Sequence, residues 1–252
     1  MARSKKVERW IVLPDIHVPY EDKKTLAVVE KYMADQKWDG YIQLGDLLDL
    51  DSISRFSEGL AGEIENLRVD MDFDRGYKLL KRHRQIVGDH CEMVMLEGNH
   101  EFRVDTFYAK YPQLRGLLDV ERNLKLKELG IKWVMCYTKG AVFRRGRALF
   151  HHGLYCNKYH AEKHSSEYGE NIFYGHVHDV QGISRVRAGK DETYVGQSLG
   201  CLCSDQRYMR GKPDKWQQAF GVFHFFPDGF FNYFVVRIFK NRFVSPEGKT
   251  YK

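Results

Sequence analysis

Short, largely apolar runs recur along the chain, each stopped by a cluster of glycine, proline or polar residues. Trp10-Ile11-Val12-Leu13, Tyr41-Ile42-Gln43-Leu44 and Met93-Val94-Met95-Leu96 are such runs in the first half. Runs of this length with little polar alternation predict strands buried on both faces. Between the first two, Glu21 to Lys37 carries Leu26, Val29 and Met33 at a helical period among charges, which predicts a helix covering the sheet. Strand, helix, strand is the order expected of parallel strands joined by right-handed crossovers.

From Ser52 to Val87 the chain is charged and helix-like, with Leu67, Met71, Tyr77, Leu80 and Ile86 as anchors. It is longer than one crossover helix needs, so part of it is expected to form a cap. Phe102 to Gly130 again reads as mostly helical, broken at Pro112. A second half starts at Ile131, with strands expected at Trp133-Val134-Met135, Ala141-Val142-Phe143, Ala148-Leu149-Phe150 and Asn171-Ile172-Phe173-Tyr174, and a hairpin signal at Arg145-Gly146. The remainder is β-rich: Ile183 to Val186, Thr193 to Leu199, Gly221 to Phe226 and Phe230 to Phe239, with a tight turn at Pro227-Asp228-Gly229. The aromatic run Phe230 to Phe234 is expected in the core, with a self-association surface as the second reading. There is no internal repeat. Residues 1–252 are expected to form one domain with helical, cap-like insertions near 52–88 and 102–130.

The polar residues that end these runs change the picture. Asp15-x-His17, Gly45-Asp46-x-x-Asp49, Gly98-Asn99-His100-Glu101, His152-Gly153 and Gly175-His176-x-His178 each follow a short apolar run. In an extended segment residues i and i+2 point the same way, so Asp15 and His17 present a carboxylate and an imidazole to one point. Each fragment alone is an ordinary strand-end turn. Together they are oxygen and imidazole donors converging at the edge of a sheet, the set that a pair of divalent first-row metals requires.

Cysteine chemistry adds little. The five cysteines, Cys91, Cys136, Cys156, Cys201 and Cys203, are scattered with no CxxC pair. Cys201-Leu202-Cys203 reads either as a metal pair or as alternate residues of a strand. The formal charge of +6 rests on clusters such as Lys81-Arg82-His83-Arg84, Arg144-Arg145-Gly146-Arg147 and Arg207 to Lys215. That balance suits a polyanionic partner and is modest for a dedicated nucleic-acid binder. No apolar stretch is long enough to span a bilayer, and Met1 to Lys6 lacks the apolar segment of a secretory signal. The expectation is a soluble, cytoplasmic protein.

In this order the five motifs resemble those of the calcineurin-like metallophosphoesterases, and the likeness runs from Asp15 to His178, about two thirds of the chain. The resemblance implies a four-layered α/β/β/α sandwich of two mixed β-sheets with a dinuclear metal site at the carboxyl ends of the strands. It implies that Asp15, His17 and His178 hold the first metal, that Asn99, His152 and His176 hold the second, and that Asp46 bridges them. His152 is chosen over His151 because the family's ligand stands immediately before glycine. His100 is implied as a general acid facing the scissile phosphate, with Asp49 orienting and charging it. Arg103 is left between a substrate phosphate contact and a surface salt bridge, and Glu101 without a role.

The cofactors implied are two divalent ions, manganese first, with iron, zinc or nickel as alternatives. The chemistry implied is attack by a metal-activated hydroxide. Ser/Thr protein phosphatases of this superfamily continue the second motif as Asp-Arg-Gly, where this chain has Asp49-Leu50-Asp51, although Glu101 matches them. The sequence is similar to the small phosphoesterases of bacteria and phages and, in Gly45-Asp46-Leu47-Leu48-Asp49, to the nuclease branch. The leading expectation is hydrolysis of a phosphodiester, with nucleotides or nucleic acid as substrate and nucleic acid as a partner. A phosphomonoesterase or protein phosphatase is the alternative, and a non-catalytic metal-binding scaffold the remote one.

Overall fold

In the computed structural model, which describes residues 6–59, 62, 65–186, 193–204 and 215–252, two mixed sheets lie face to face between layers of helices. The basic cluster that starts at Arg207 lies outside the described residues up to its last member, Lys215. The first sheet holds β1 (Glu8–Leu13), β2 (Gly40–Gln43), β3 (Glu92–Leu96), β4 (Ile131–Val134), β10 (Ala219–Phe225) and β11 (Phe231–Arg237), in the order β11-β10-β1-β2-β3-β4. β1 to β4 run parallel, and β10 and β11 add antiparallel strands at one edge. The second sheet is β5 (Phe143–Arg145), β6 (Ala148–Phe150), β7 (Asn171–Tyr174), β9 (Thr193–Ser198) and β8 (Gly182–Val186), with β6, β7 and β9 parallel. A two-stranded ribbon, β12 (Phe243–Val244) and β13 (Thr250–Tyr251), lies near the carboxyl terminus.

The alternation of side chains along each strand divides the apolar residues between layers. Trp10, Val12, Ile42, Val94, Leu96 and Phe223 of the first sheet, with Leu44 just beyond β2, meet Phe150 and Phe173 of the second, forming the core between the sheets. Their neighbours Ile11, Leu13, Tyr41, Met93 and Met95 point the other way, onto helices. These are α1 (Lys23–Asp35), which presents Leu26, Val29 and Met33 as its periodicity demanded, and α2 (Val69–Val87), which buries Phe73, Leu79 and Leu80. Asp22 caps α1 by accepting the N–H groups of Lys24 and Thr25 at 3.1 and 3.0 Å. On the outer face of the second sheet, Leu149, Ile172 and Tyr174 form a small cluster. α6 (His160–Tyr168) covers that sheet. The layers are therefore helix, sheet, sheet, helix.

Most of the stretch 52–88 is α2, which packs on the first sheet beside α1. In 102–130, α3 (Arg103–Lys110) and α4 (Val120–Asn123) are joined by short turns and send Val104, Tyr108, Val120, Leu124 and Leu126 into the same core. α5 (Cys136–Lys139) leads from β4 toward the second sheet.

The expectation that the aromatic run at Phe230 to Phe234 is core needs correction. β11 is an edge strand, so only alternate residues, Phe231 and Tyr233, lean on the core between the sheets, while Phe230 and Phe234 are 51% and 39% exposed. Part of the cluster Lys81 to Arg84 is also used by the fold. Arg82 pairs with Glu30, His83 is buried against Tyr41, and Arg84 donates to the carbonyls of Gly88, Cys91, Leu129 and Gly130. Among the described residues no helix is long and apolar enough to cross a membrane.

Candidate metal centre

The carboxyl ends of β1, β2 and β3 meet those of β6 and β7, and all five motifs leave the sheets there. Asp15, His17, Asp46 and His178 each offer one ligand atom within a common 4.8 Å, and so do Asp46, His152 and His176. Asp46 belongs to both groups. The Nε2 atoms of His17 and His178 face each other at 3.0 Å, with Asp15 Oδ1 3.3 Å from the latter. On the other side Asp46 Oδ2 lies 3.2 Å from His152 Nε2, which is 3.0 Å from Asn99 Oδ1. The structure thus brings every named donor to one place. Asp15, His17, Asp46, His152 and His178 are buried there, and Asn99 and His176 stand at the more open side.

Local backbone conformation aims these donors. Asp15, His17, Asp46, His176 and His178 all have left-handed φ, from 39° at Asp15 to 70° at His176. Non-glycine residues occupy this region at a cost of roughly 1–3 kcal/mol each, and such positions concentrate at functional sites. Two glycines make room for the carboxylates. A Cβ on Gly98 would meet Asp46 Oδ1 at 2.1 Å, and one on Gly175 would meet Asp15 Oδ2 at 2.0 Å.

Hydrogen bonds behind the cluster fix the tautomers. His152 Nδ1 lies 2.9 Å from the Leu44 carbonyl and carries a hydrogen in either protonation state, so the neutral imidazole has its lone pair on Nε2, on the side of Asp46. His17 Nδ1 is held likewise by the Asp49 carboxylate at 3.1 Å, so its Nε2 lone pair also enters the cluster. Oxygen and neutral imidazole donors of this kind fit divalent first-row cations.

The carboxylates decide which histidines hold protons. Burial pushes His152 and His178 down, but Asp46 in the first case and Asp15 in the second outweigh it and raise both to about 9. Burial dominates at His17, lowered to about 4, at His176, lowered to about 3, and at His100, lowered well below its ordinary value. Asp46 is held far below the usual carboxylate range, against its burial, by His152, His100 and His17.

His100 stands at the edge of this cluster, its Nε2 3.9 Å from Asp46 Oδ2. The pairing expected for Asp49 is divided in the structure. Its main-chain carbonyl accepts from His100 Nδ1 at 2.8 Å, whereas its carboxylate lies 3.6 Å from that atom and nearer to His17. Arg103 is largely buried. It donates to the Asp49 carbonyl at 2.6 Å and to Asp51 at 3.1 Å, and its second nitrogen lies 3.2 Å from His100 Nε2.

Glu101, which the motifs left unexplained, is buried and accepts the N–H groups of Asp46, Leu48 and Gly98, each at 2.9 Å. It ties the second motif loop to the third. Burial, then the charge of Asp46, raises its carboxyl to about 8.

Other supporting residues carry no sequence signal. His160 bonds Asp179 and Tyr174, and Asp179 accepts from Ser198, bracing the loop next to His178. His164 Nε2 accepts from Leu154 N. His151 turns its Nδ1 to the Gly153 N–H, away from the donors. Both cysteines of Cys201-Leu202-Cys203 are buried, joined to the rest by isolated bridges rather than a strand, and Cys203 Sγ lies 3.9 Å from His178 Nδ1.

Two mixed sheets packed face to face between helices, with the donor loops at their shared edge, are the four-layered α/β/β/α arrangement and the site placement expected from the motifs. No protein-family model matches the chain. It is 26% identical over 240 residues to the Gene 54 protein of Mycobacterium phage L5, covering 85% of this chain and 88% of that protein. Among solved structures, Vacuolar Protein Sorting 29 from Cryptosporidium parvum is similar over 97% of this chain and 94% of its own, at 13% identity and a TM-score of 0.48. The Pseudomonas putida nuclease MPE is similar over 85% of this chain and 81% of its own, at 15% identity and a TM-score of 0.39.

Proposed function

We propose that this protein is a phosphoric ester hydrolase dependent on two divalent metal ions, acting on a phosphodiester, with nucleotides or nucleic acid as the favoured substrate class. The observation that carries the reading is Asp46, one buried carboxylate shared by two donor groups with His100 beside it. Asp15, His17 and His178 hold the first ion, Asn99, His152 and His176 the second, and Asp46 both. Manganese suits this oxygen and imidazole set, and iron, zinc and nickel fit it as well. When bound, the ions supply Lewis acidity toward the phosphoryl group and an activated water.

The chain's own residues do the rest. The buried donors exclude solvent from one side of the site, leaving Asn99 and His176 toward the substrate. The Asp49 carbonyl keeps the hydrogen of His100 on Nδ1, so Nε2 is the atom that takes up and hands on a proton, to the departing oxygen. The negative charge of the substrate favours the imidazolium there. Arg103, beside Nε2, offers its guanidinium edge to a non-bridging phosphoryl oxygen. The stretches 52–88 and 102–130 belong to a single domain, and the second borders the site through Arg103, which bonds Asp51 just before the first. Five free thiols fit a reducing, intracellular setting.

The test is hydrolysis of bis-p-nitrophenyl phosphate, of p-nitrophenyl phosphate and of single- and double-stranded DNA, each with manganese and with chelator. Metal-dependent diester cleavage that falls about 10²–10⁴-fold in His100→Ala while metal content is unchanged is the expected result. Preference for the monoester would select the phosphomonoesterase reading. Failure to bind more than trace metal would remove both.

A further inference from the structure

We propose that a cleft running from Arg103 along α3 seats the nucleotide next to the scissile phosphate on its departing side, which makes single-stranded nucleic acid the substrate. This rests on the phosphoesterase reading and narrows it. Two 3₁₀ turns, Asp51–Ile53 and Arg55–Ser57, form one wall of the cleft, and α3 with Tyr111 forms the other. Asp51, which opens the first turn, accepts from Arg103 at 3.1 Å, and Arg103 opens α3. Thr106, Phe107 and Lys110 follow Arg103 by three, four and seven residues, so they share its face of the helix. At a rise of about 1.5 Å per residue, the cleft extends about 5–10 Å beyond Arg103. His100 Nε2 lies at the near end, 3.2 Å from Arg103, so the cleft continues the side of the site where that imidazole hands its proton to the departing oxygen.

Size marks the cleft as part of a larger site. Its volume is about 260 Å³. Pockets that enclose a whole small molecule measure about 300–1,000 Å³, so this one takes a portion of a ligand whose remainder lies elsewhere, and its near end leads to the metal centre.

The walls suit a base and a phosphate. The rings of Phe107 and Tyr111 lie 4.9 Å apart, and Tyr111 is 37% exposed. The Ser52 hydroxyl is buried without a hydrogen-bond partner among the described residues. Buried hydroxyls are seldom left unpaired, and the edge of a base supplies the missing partner. The walls carry three charges, of which Lys110 and Glu58 pair at 2.9 Å. Arg55 is left over. Its guanidinium lies 4.9 Å from the centre of the exposed Phe56 ring and has no hydrogen bond or ion pair among the described residues. A guanidinium over a ring keeps its in-plane N–H donors for an anion. Grooves that hold a single strand combine these parts, with rings that stack on bases of any sequence and cations that follow the backbone.

The test uses the full-length, manganese-loaded protein. A fluorescein-labelled oligothymidylate with phosphorothioate linkages reports binding by anisotropy, an unmodified one reports cleavage, and bis-p-nitrophenyl phosphate reports the metal centre alone. In Arg55→Glu and in Tyr111→Ala, binding should weaken at least about tenfold and kcat/KM for the oligonucleotide should fall by the same factor, with aryl diester hydrolysis unchanged. Tyr111→Phe keeps the ring and should bind as the parent does. A parent that cleaves the aryl diester but binds no oligothymidylate, or binds it as both variants do, overturns the proposal. So does an equal loss of aryl diester hydrolysis in the two variants, which would place the effect at the metal centre. A parent that binds the strand with the expected sensitivity and cleaves neither substrate overturns the phosphoesterase reading and leaves the cleft as a strand-binding site.

Discussion

The Asp49 carboxylate lies 3.1 Å from His17 Nδ1, nearer than to the imidazole of His100, which takes the main-chain carbonyl of the same residue instead. The side chain therefore holds a histidine of the first donor group, and the backbone holds His100, the proposed acid. Asp49→Asn separates the two roles. We expect metal affinity at the first donor group to fall about 10–100-fold, as when other partners of ligating histidines are removed. The metal-saturated variant should keep most of its turnover, because His100 keeps its carbonyl. Metal titration by calorimetry, beside kcat at saturating manganese, checks this. Full metal affinity with a large loss of kcat would restore Asp49 as the partner of His100.

The two glycines that touch carboxylates make a second, graded prediction. In Gly98→Ala the new methyl meets Asp46, which both donor groups share, so both metal sites should lose occupancy. In Gly175→Ala it meets Asp15, and only the first group should suffer. Each substitution forces a buried carboxylate to move and should cost about 1–3 kcal/mol of stability. Metal content by mass spectrometry and thermal melting measure the two effects. Equal occupancy in the two variants would mean that the carboxylates shift without consequence.

Glu101 holds three main-chain N–H groups from two motif loops, including that of Asp46 itself. Above about pH 8, where Glu101 is ionised, Glu101→Gln retains one accepting oxygen and replaces the other with a donor that faces N–H groups. Buried donors left without an acceptor cost about 1–3 kcal/mol, which is several degrees of Tm here. Metal affinity should fall with Tm, since the Asp46 loop is loosened. A melting temperature within a degree of the parent would show that water replaces the lost acceptor.

The strands and their donor loops were legible because each is a short apolar run that stops at a polar cluster, and burial on both faces leaves no other reading for runs such as Met93 to Leu96. That His152 and His151 turn opposite ways, the first to Asp46 and the second to Gly153, was also legible, since neighbouring residues on an extended segment face opposite ways. What was hidden depends on atoms that a residue name does not specify. Asp49 serves His100 through its backbone, and the left-handed φ of Asp15, His17 and Asp46 leaves no trace in composition. Arg84 counts as surface charge in the sequence but spends its donors on four carbonyls. The same holds for His160 and Asp179, whose partners come from different elements and meet only when the second sheet is assembled.

Asp72 gives a prediction that does not involve the proposed metal ligands directly. It is buried on α2, and burial, followed by the charge of Asp49, raises its carboxyl to about 7 from an ordinary value of 3.8. The folded state therefore holds this proton more tightly than the unfolded chain does. The resulting stability is fully present below about pH 4 and is lost as pH rises through about 7. Above that, folding keeps a partly solvated carboxylate close to Asp49 and Asp51. Asp72→Asn is neutral throughout, so it should match the parent near pH 4 and exceed it at pH 8. After allowance for solvent screening the gain is about 1 kcal/mol, or about 2–4 °C in Tm. Asp51, raised to about 6, titrates in the same window and its charge acts on Asp72, so the difference between the two melting curves reports Asp72 together with its coupling to Asp51. A Tm difference of equal size at pH 4 and pH 8 would assign the effect to packing rather than to charge.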